Sequence, residues 1–340
     1  MIAAGLPELE ELHHILEAAP GGIEVKAAGH AALGDERVPI LAVTLGARAP
    51  EAPAIAFVGG VHGLERIGTQ VVLSLLGSLV ARLHWDELLH RQLEGLRIVF
   101  VPLVNPVGMM RRTRSNGRGI DLMRNAPIDA RERVAFLVGG HRMSARLPWY
   151  RGAAGAPMEP ESDALCSVVR RELFGRPLAV ALDCHSGFGL RDRIWFPHAR
   201  TRERFGRTAE VHALVQQYDA LYPRHSYVFE PQSRQYLTHG DLWDYLYEQS
   251  LEAPGIFMPL TLEMGSWRWI RKSPRQALSR LGIFNPLPAD RLQRVRRNHL
   301  LWLNFLCRAV HDYRDWLPHA EARERHERAA IARWFAPPSP

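Results

Sequence analysis

Lysine is nearly absent from this chain: of 43 basic side chains only Lys26 and Lys272 are lysine, and 41 are arginine. So large an excess reflects an Arg-rich, Ala-rich composition more than chemistry. An arginine outside a motif, such as Arg112, Arg114 or Arg118, is therefore expected on a solvated surface. Cysteine is scarce as well. Cys166, Cys184 and Cys307 are too few and odd in number for a disulfide framework, which fits a reducing cytoplasm. No apolar run reaches the roughly 18 residues of a membrane span. The stretch from Met1 to Glu10 also lacks the basic and long apolar regions of a secretory signal. A cytoplasmic protein without a membrane partner is expected. Internal repeats and a separate prodomain are absent from the pattern. So are aromatic-basic recognition motifs: despite a net charge of +7, the basic clusters at 291–297 and 323–333 alternate with Glu or apolar residues, as on a solvated helix face. No nucleic-acid partner is expected.

What the chain does have is enough apolar material for a full core, with 46% hydrophobic side chains in 340 residues. That suits one α/β domain with extensions. Helical periodicity is expected over 6–18, 66–83, 163–173, 201–218, 240–249 and 287–317, and strands near 23–28 and 38–45 as a hairpin-like pair. Four further short apolar runs read as buried strands. Strands alternating with helices predict a three-layer α/β/α fold with a mixed, mostly parallel sheet. The Gly-, Ala- and Pro-rich segment 139–161 is expected as a long loop at the rim of a site. Residues 1–317 are expected as the catalytic domain, and 318–340 as a charged tail, an exposed helix with a disordered Pro-rich end.

The four buried-strand runs share one feature: each leads directly into polar residues able to do chemistry. Ala54-Ile55-Ala56-Phe57-Val58 leads through two glycines to His62 and Glu65. The run from Arg97 to Val104 leads to Asn105-Pro106, then Arg111 to Arg114, then Asp121 and Arg124. Leu178 to Leu182 ends in Asp183-Cys184-His185, and Ile256 to Leu262 ends in Glu263. In open α/β sheets, ligand sites lie just past the carboxyl ends of strands. Metal-assisted hydrolysis needs such a set. Two His and one Glu leave a tetrahedral Zn²⁺ with an open position, and a second carboxylate then moves protons between water and leaving amine. His62, Glu65 and His185 are the candidate ligands and Glu263 the candidate base. Cys184 adjoins His185, but alternation along a strand turns it to the other face, where burial is expected.

From about residue 7 to about residue 310 the chain resembles the zinc carboxypeptidase family (carboxypeptidase A-like metallopeptidases), with motifs in family order. The resemblance implies one Zn²⁺ held by His62, Glu65 and His185, and Glu263 as general acid/base. It also implies that Arg111, in Met110-Arg111-Arg112-Thr113-Arg114-Ser115, polarises the scissile carbonyl. Asp121 would orient His62, Arg124 would bind the substrate's terminal carboxylate, and Tyr236 would close over bound substrate. The chain departs from the family at Met123, where Asn usually precedes the carboxylate-binding Arg, and at Leu64, where many digestive members have Arg. Trp243 falls where the family sets the base of its specificity pocket, although it equally suits the core face of a helix. Asp241 could attract a basic side chain or cap that helix.

The expected activity is hydrolysis of a C-terminal peptide or peptide-like amide. Alternatives are a zinc deacylase of N-acyl amino acids, like aspartoacylase and succinylglutamate desuccinylase, a cell-wall peptide amidase, or a pseudoenzyme. The Tyr236 segment favours the peptidase, and retention of Glu263 and Arg111 counts against an inactive scaffold.

Overall fold

The strands are β1 (Glu24–Leu33), β2 (Glu36–Gly46), β3 (Ala54–Gly59), β4 (Arg97–Val101), β5 (Leu178–Ser186), β6 (Arg193–Phe196), β7 (Val228–Pro231) and β8 (Ile256–Met264). They form one sheet in the order β1-β2-β4-β3-β5-β8-β6-β7 in the computed structural model, which describes residues 5–336. The central pairings β4-β3, β3-β5 and β5-β8 are parallel, while β1-β2, β2-β4 and β8-β6 are antiparallel. β6 and β7 run parallel to each other. The sheet is mixed and mostly parallel, as expected.

Among the described residues the helices are α1 (Pro7–Glu17), α2 (Arg66–Arg82), α3 (Glu87–Gly95), α4 (Pro106–Arg111), α5 (Pro160–Leu173), α6 (Thr208–Leu221), α7 (Leu242–Ser250), α8 (Trp267–Lys272), α9 (Arg280–Phe284), α10 (Ala289–His311), α11 (Tyr313–Trp316) and α12 (Ala320–Trp334). Alternation along each strand splits the core in two. Ile55, Phe57, Val180, Leu182, Cys184 and Leu260 join the apolar faces of α1, α2, α6 and α10. Ala54, Ala56, Ala179 and Ala181 meet α5 and α7. The small residues on this second face let the helices approach closely. Every residue of β3 and β5 is buried, which is why these runs carry no polar alternation in the sequence.

The structure departs from the expected elements in several places. The β1-β2 hairpin is longer than expected, because Gly34 at φ 61° and Asp35 close a two-residue turn between Leu33 and Glu36. The strands β6 and β7 have four residues each, too few to show a period. The helix expected over 201–218 starts only at Thr208, and the one expected over 287–317 breaks after His311.

The expected C-terminal tail contains α12, which docks on α6. Ala330 and Trp334 are buried, the Trp334 indole N–H donates to the Phe229 carbonyl at 2.7 Å, and its ring meets Phe196 edge-on. Arg323 pairs with Glu210 and Arg333 with Asp219. The Pro-rich end lies outside the described residues. Among the described residues no single helix is long and apolar enough to cross a membrane.

Candidate metal centre

His62 and Glu65 lie in the loop between β3 and α2, and close backbone packing fixes that loop. A Cβ on Gly63 would sit 2.1 Å from the Gly108 carbonyl carbon, so the loop rests directly on α4. A Cβ on Gly68 would sit 2.0 Å from the Cys184 carbonyl oxygen, so the start of α2 rests on the end of β5. Glu65 is thereby brought beside β5, where the Ser186 N–H donates to its Oε2 at 3.0 Å. The parallel β5-β8 register pairs His185 with Glu263. Cys184 points to the opposite core, as alternation predicts.

The three candidate ligands converge and are buried. Nδ1 of His62 lies 2.9 Å from Glu65 Oε1, Nδ1 of His185 lies 2.9 Å from Glu65 Oε2, and the two Nδ1 atoms are 3.2 Å apart. Ligand atoms about 2.0–2.2 Å from a tetrahedral Zn²⁺ are separated by about 3.3–3.6 Å, so a few tenths of an ångström separate this set from coordination. The orientation of both rings also fits. His62 Nε2 faces Asp121 Oδ1 at 3.1 Å and His185 Nε2 faces Asp183 Oδ2 at 2.7 Å. An ionised carboxylate can only accept, so each Nε2 carries a proton and each Nδ1 turns to the site. The residues present therefore fit a zinc ion.

The carboxylates are held in place in turn. Asp121 accepts from the Met123 N–H and from Arg114 Nε at 2.8 Å, while Asp183 accepts from the Trp243 indole N–H at 2.9 Å. Arg114 Nη1 also donates to Glu65 Oε1 at 3.1 Å. Burial alone would raise the Asp121 carboxyl, but Arg114 and His62 outweigh it and hold it well below the usual range. Glu65 is lowered in the same way, with His62 and His185 overcoming its burial. Glu263 goes the other way. Burial and the nearby Glu65 charge push it up to about 8. Its Oε1 accepts from the Phe188 N–H at 3.1 Å.

These groups open into a cavity of about 550 Å³, a size suited to a small ligand or one or two residues. The metal ligands, Arg114, Arg124, Tyr236 and Glu263 all line it, and Pro148 and Trp149 come from the long loop expected at the rim. Arg124 is 3% exposed. Its Nε and Nη1 make only long contacts of 3.4 Å to the Val138 and Met123 carbonyls. Among the described residues it has no acidic partner, whereas the buried Arg97 pairs with Glu172 and the buried Arg151 with Asp129. Tyr236 packs its ring between Phe188 and Trp195, with the Arg124 guanidinium 6.0 Å from its centroid. Met123, in place of the expected Asn, also faces the cavity.

Arg111 does not take the place expected of it. It ends α4, is exposed, and donates to the Gly117 carbonyl instead of lining the cavity. After it, Arg112 takes a left-handed conformation at φ 53°, which turns the chain and returns Arg114 to Glu65 and Asp121. The arginine expected at a solvated surface is thus the one beside the ligands. Asp183 belongs to the site as well, although the sequence pattern assigns it no role; its position two before His185 on one strand, and so on the same face, is the signal that could have found it. Trp243 is buried and donates to Asp183; it borders a small recess that shares Trp195, Gln232, Asp241 and Thr261 with the cavity, whereas Asp241 lines the cavity itself.

The fold and site define a class: α/β/α proteins with one metal site built from two His and one Glu at the carboxyl ends of neighbouring parallel strands. Within that class, the chain belongs to the zinc carboxypeptidase family, whose sequence profile matches residues 9–266. Zinc is accordingly its metal cofactor. The chain is similar to carboxypeptidase SOL1 of Arabidopsis thaliana, 32% identical over 75 residues, or 22% of this chain and 15% of that protein. It is also similar to carboxypeptidase D of Anas platyrhynchos, 29% identical over 145 residues, or 39% of this chain and 9% of that protein. The matches thus span a small part of these curated relatives. Among solved structures, carboxypeptidase A from Helicoverpa armigera aligns with a TM-score of 0.64 at 17% identity, over 88% of this chain and 71% of that one. Thrombin activatable fibrinolysis inhibitor aligns at 0.60 and 20% identity, over 86% and 74%. At such identities the likeness is one of fold.

Proposed function

We propose that this protein is a zinc-dependent carboxypeptidase that hydrolyses a C-terminal peptide or peptide-like amide bond. The observation that carries this reading is Arg124, a buried guanidinium without an acidic partner, opening into the same cavity as the His62, Glu65 and His185 cluster. A planar fork of this kind binds a carboxylate bidentately, and a substrate's free C-terminus supplies one. Tyr236, against Arg124, covers the bound residue.

When bound, zinc polarises a carbonyl and lowers the pKa of water. The chain's own groups handle the remaining charge and protons. Glu263 has a raised pKa and a second oxygen without a hydrogen-bond partner. It takes the proton from the attacking water and gives it to the departing amine. Arg114 uses two of its N–H donors on Glu65 and Asp121, and the remaining donors stabilise negative charge developing on the scissile carbonyl oxygen. The three cysteines are buried and free, consistent with a cytoplasmic location.

The test compares matched peptides with free and amidated C-termini on zinc-loaded protein. Amidation is expected to cost about 1.5–3 kcal/mol in kcat/KM, the range for hydrogen bonds to charged groups. Arg124→Ala should largely erase the difference. Equal cleavage of both forms by wild type overturns the carboxypeptidase reading and favours an endo-acting amidase. Turnover confined to N-acyl amino acids, which also carry a free carboxylate, favours a deacylase.

A further inference from the structure

The cavity holds a second buried charge that the proposed chemistry does not use. Asp241 is 2% exposed and lines the cavity together with Arg124, Gln232, Thr261 and Trp195. One of its oxygens is committed to the fold, since Oδ1 caps α7 by accepting from the Trp243 and Asp244 N–H groups, both at 3.0 Å. The other oxygen is uncommitted. Among the described residues Oδ2 accepts no hydrogen bond, and no Arg, Lys or His nitrogen lies within salt-bridge distance of Asp241. Nor is Oδ2 sealed in the interior, since it is not among the fully buried polar atoms without partners.

The neighbouring charges sharpen the contrast. Asp183 and Asp244, the nearby carboxylates, are both buried. Asp183 is engaged by His185 and Trp243, and Asp244 by the Ala199 and Arg200 N–H groups. Burial, with further negative charge from Asp183, raises the Asp241 carboxyl above its ordinary value, and Arg124 only partly opposes this. An acceptor in such surroundings is stabilised most by a cation with hydrogens to donate. Arg124 does not fill that role, because it forms no ion pair with Asp241. The cavity therefore presents one guanidinium without an acidic partner and one carboxyl group without a cationic partner. A ligand that answers both carries a carboxylate and, on the same residue, a positive group. Trp195 supplies an aromatic wall for the aliphatic stem of such a side chain.

We infer that Asp241 determines specificity, selecting substrates whose C-terminal residue bears a cationic side chain, an ammonium or a guanidinium. This rests on the carboxypeptidase reading above, with Arg124 holding the terminal carboxylate.

The test uses full-length zinc-loaded protein and one acyl-dipeptide series ending in Lys, Arg, norleucine, Leu or Glu. Norleucine keeps the lysine stem and removes its charge. Wild type is expected to favour Lys or Arg over norleucine at least tenfold in kcat/KM, and the two basic arms show whether ammonium or guanidinium fits better. In Asp241→Asn the ratio should fall at least tenfold, while the isosteric amide oxygen still caps α7 and circular dichroism remains native. A second measurement is independent of turnover: calorimetric titration with free lysine, arginine and norleucine, where the basic amino acids bind at least tenfold tighter to wild type and lose that advantage in the variant. If no peptide is turned over, the proposed function fails and this titration alone decides the role of Asp241. Equal handling of lysine and norleucine, or a preference unchanged in Asp241→Asn, overturns the inference.

Discussion

Arg111 and Arg114 are three residues apart in one basic run, and chain direction separates their roles. Arg111 ends a helix and bonds a nearby carbonyl, whereas Arg114 follows the left-handed turn at Arg112 and bridges Glu65 to Asp121. Arg114→Ala is expected to lower kcat about 10²–10³-fold, the loss typical of removing one oxyanion donor. Arg111→Ala should stay within about twofold of wild type, as usual for exposed positions. Steady-state kinetics on one peptide substrate decide between them, and an equal loss in both variants would reject this assignment. The two glutamates divide in the same manner. Glu65 sits between both imidazoles, whereas Glu263 touches neither and is bonded only to the Phe188 N–H. Glu263→Gln is accordingly expected to keep one zinc per chain by metal analysis yet lose turnover about 10²–10⁴-fold. Zinc loss in this variant would show that the two roles are exchanged.

At the scale of elements, the site depends on how strand ends meet helix starts. β3 delivers His62 and Glu65, β5 delivers Asp183 and His185, β8 delivers Glu263, and the α7 start delivers Asp241. These ends come together because Gly63 and Gly68 let the backbones touch. The C-terminal helix α12 serves stability instead. Trp334 buries its ring against Phe196 on β6 and satisfies the Phe229 carbonyl on β7, so α12 covers the short strand β6 and the edge strand β7. Trp334→Ala is expected to destabilise the protein by about 3–5 kcal/mol, the usual loss for a buried Trp. Denaturant melts with unchanged m-value check it, and a loss below about 1 kcal/mol would mean that α12 contributes little.

Across the whole molecule, two histidines outside the site set an acid limit. His198 and His299 are buried deeply enough that burial lowers both to about 4, from the ordinary 6.5. Both remain neutral in the folded protein, whereas the unfolded chain takes up protons below about 6.5. Their contribution is therefore intact above pH 6.5 and lost as the pH falls towards 4, at about 3 kcal/mol per histidine when complete. Thermal melts of the chelated protein between pH 7 and pH 4 should show this decline, and His299→Phe should flatten it. The slope is the readout, since the variant also loses the Tyr227 hydroxyl contact. An unchanged slope would place the acid sensitivity elsewhere.

By itself the sequence determined the class of fold and pointed to the candidate metal ligands, because both are written locally. An interior parallel strand is an unbroken apolar run, and its functional residue comes within a few positions of its end, as in Phe57 to His62, Leu182 to His185 and Leu262 to Glu263. Asp121 and Arg124 come to the site together for the same reason, being carried by one short motif. What only the tertiary structure decided were choices among equivalent residues. Nothing local distinguishes Arg111 from Arg114, since the left-handed turn between them follows from packing of the loop. Likewise, Trp243 and Asp241 both suit the start of a helix, and only the position of β5 beneath α7 turns the indole to Asp183 and places Asp241 in the cavity lining with one oxygen free of hydrogen bonds. Four-residue strands such as β6 and β7 carry too little pattern to be read at all, and their pairing partners, far away in the chain, are what make them strands.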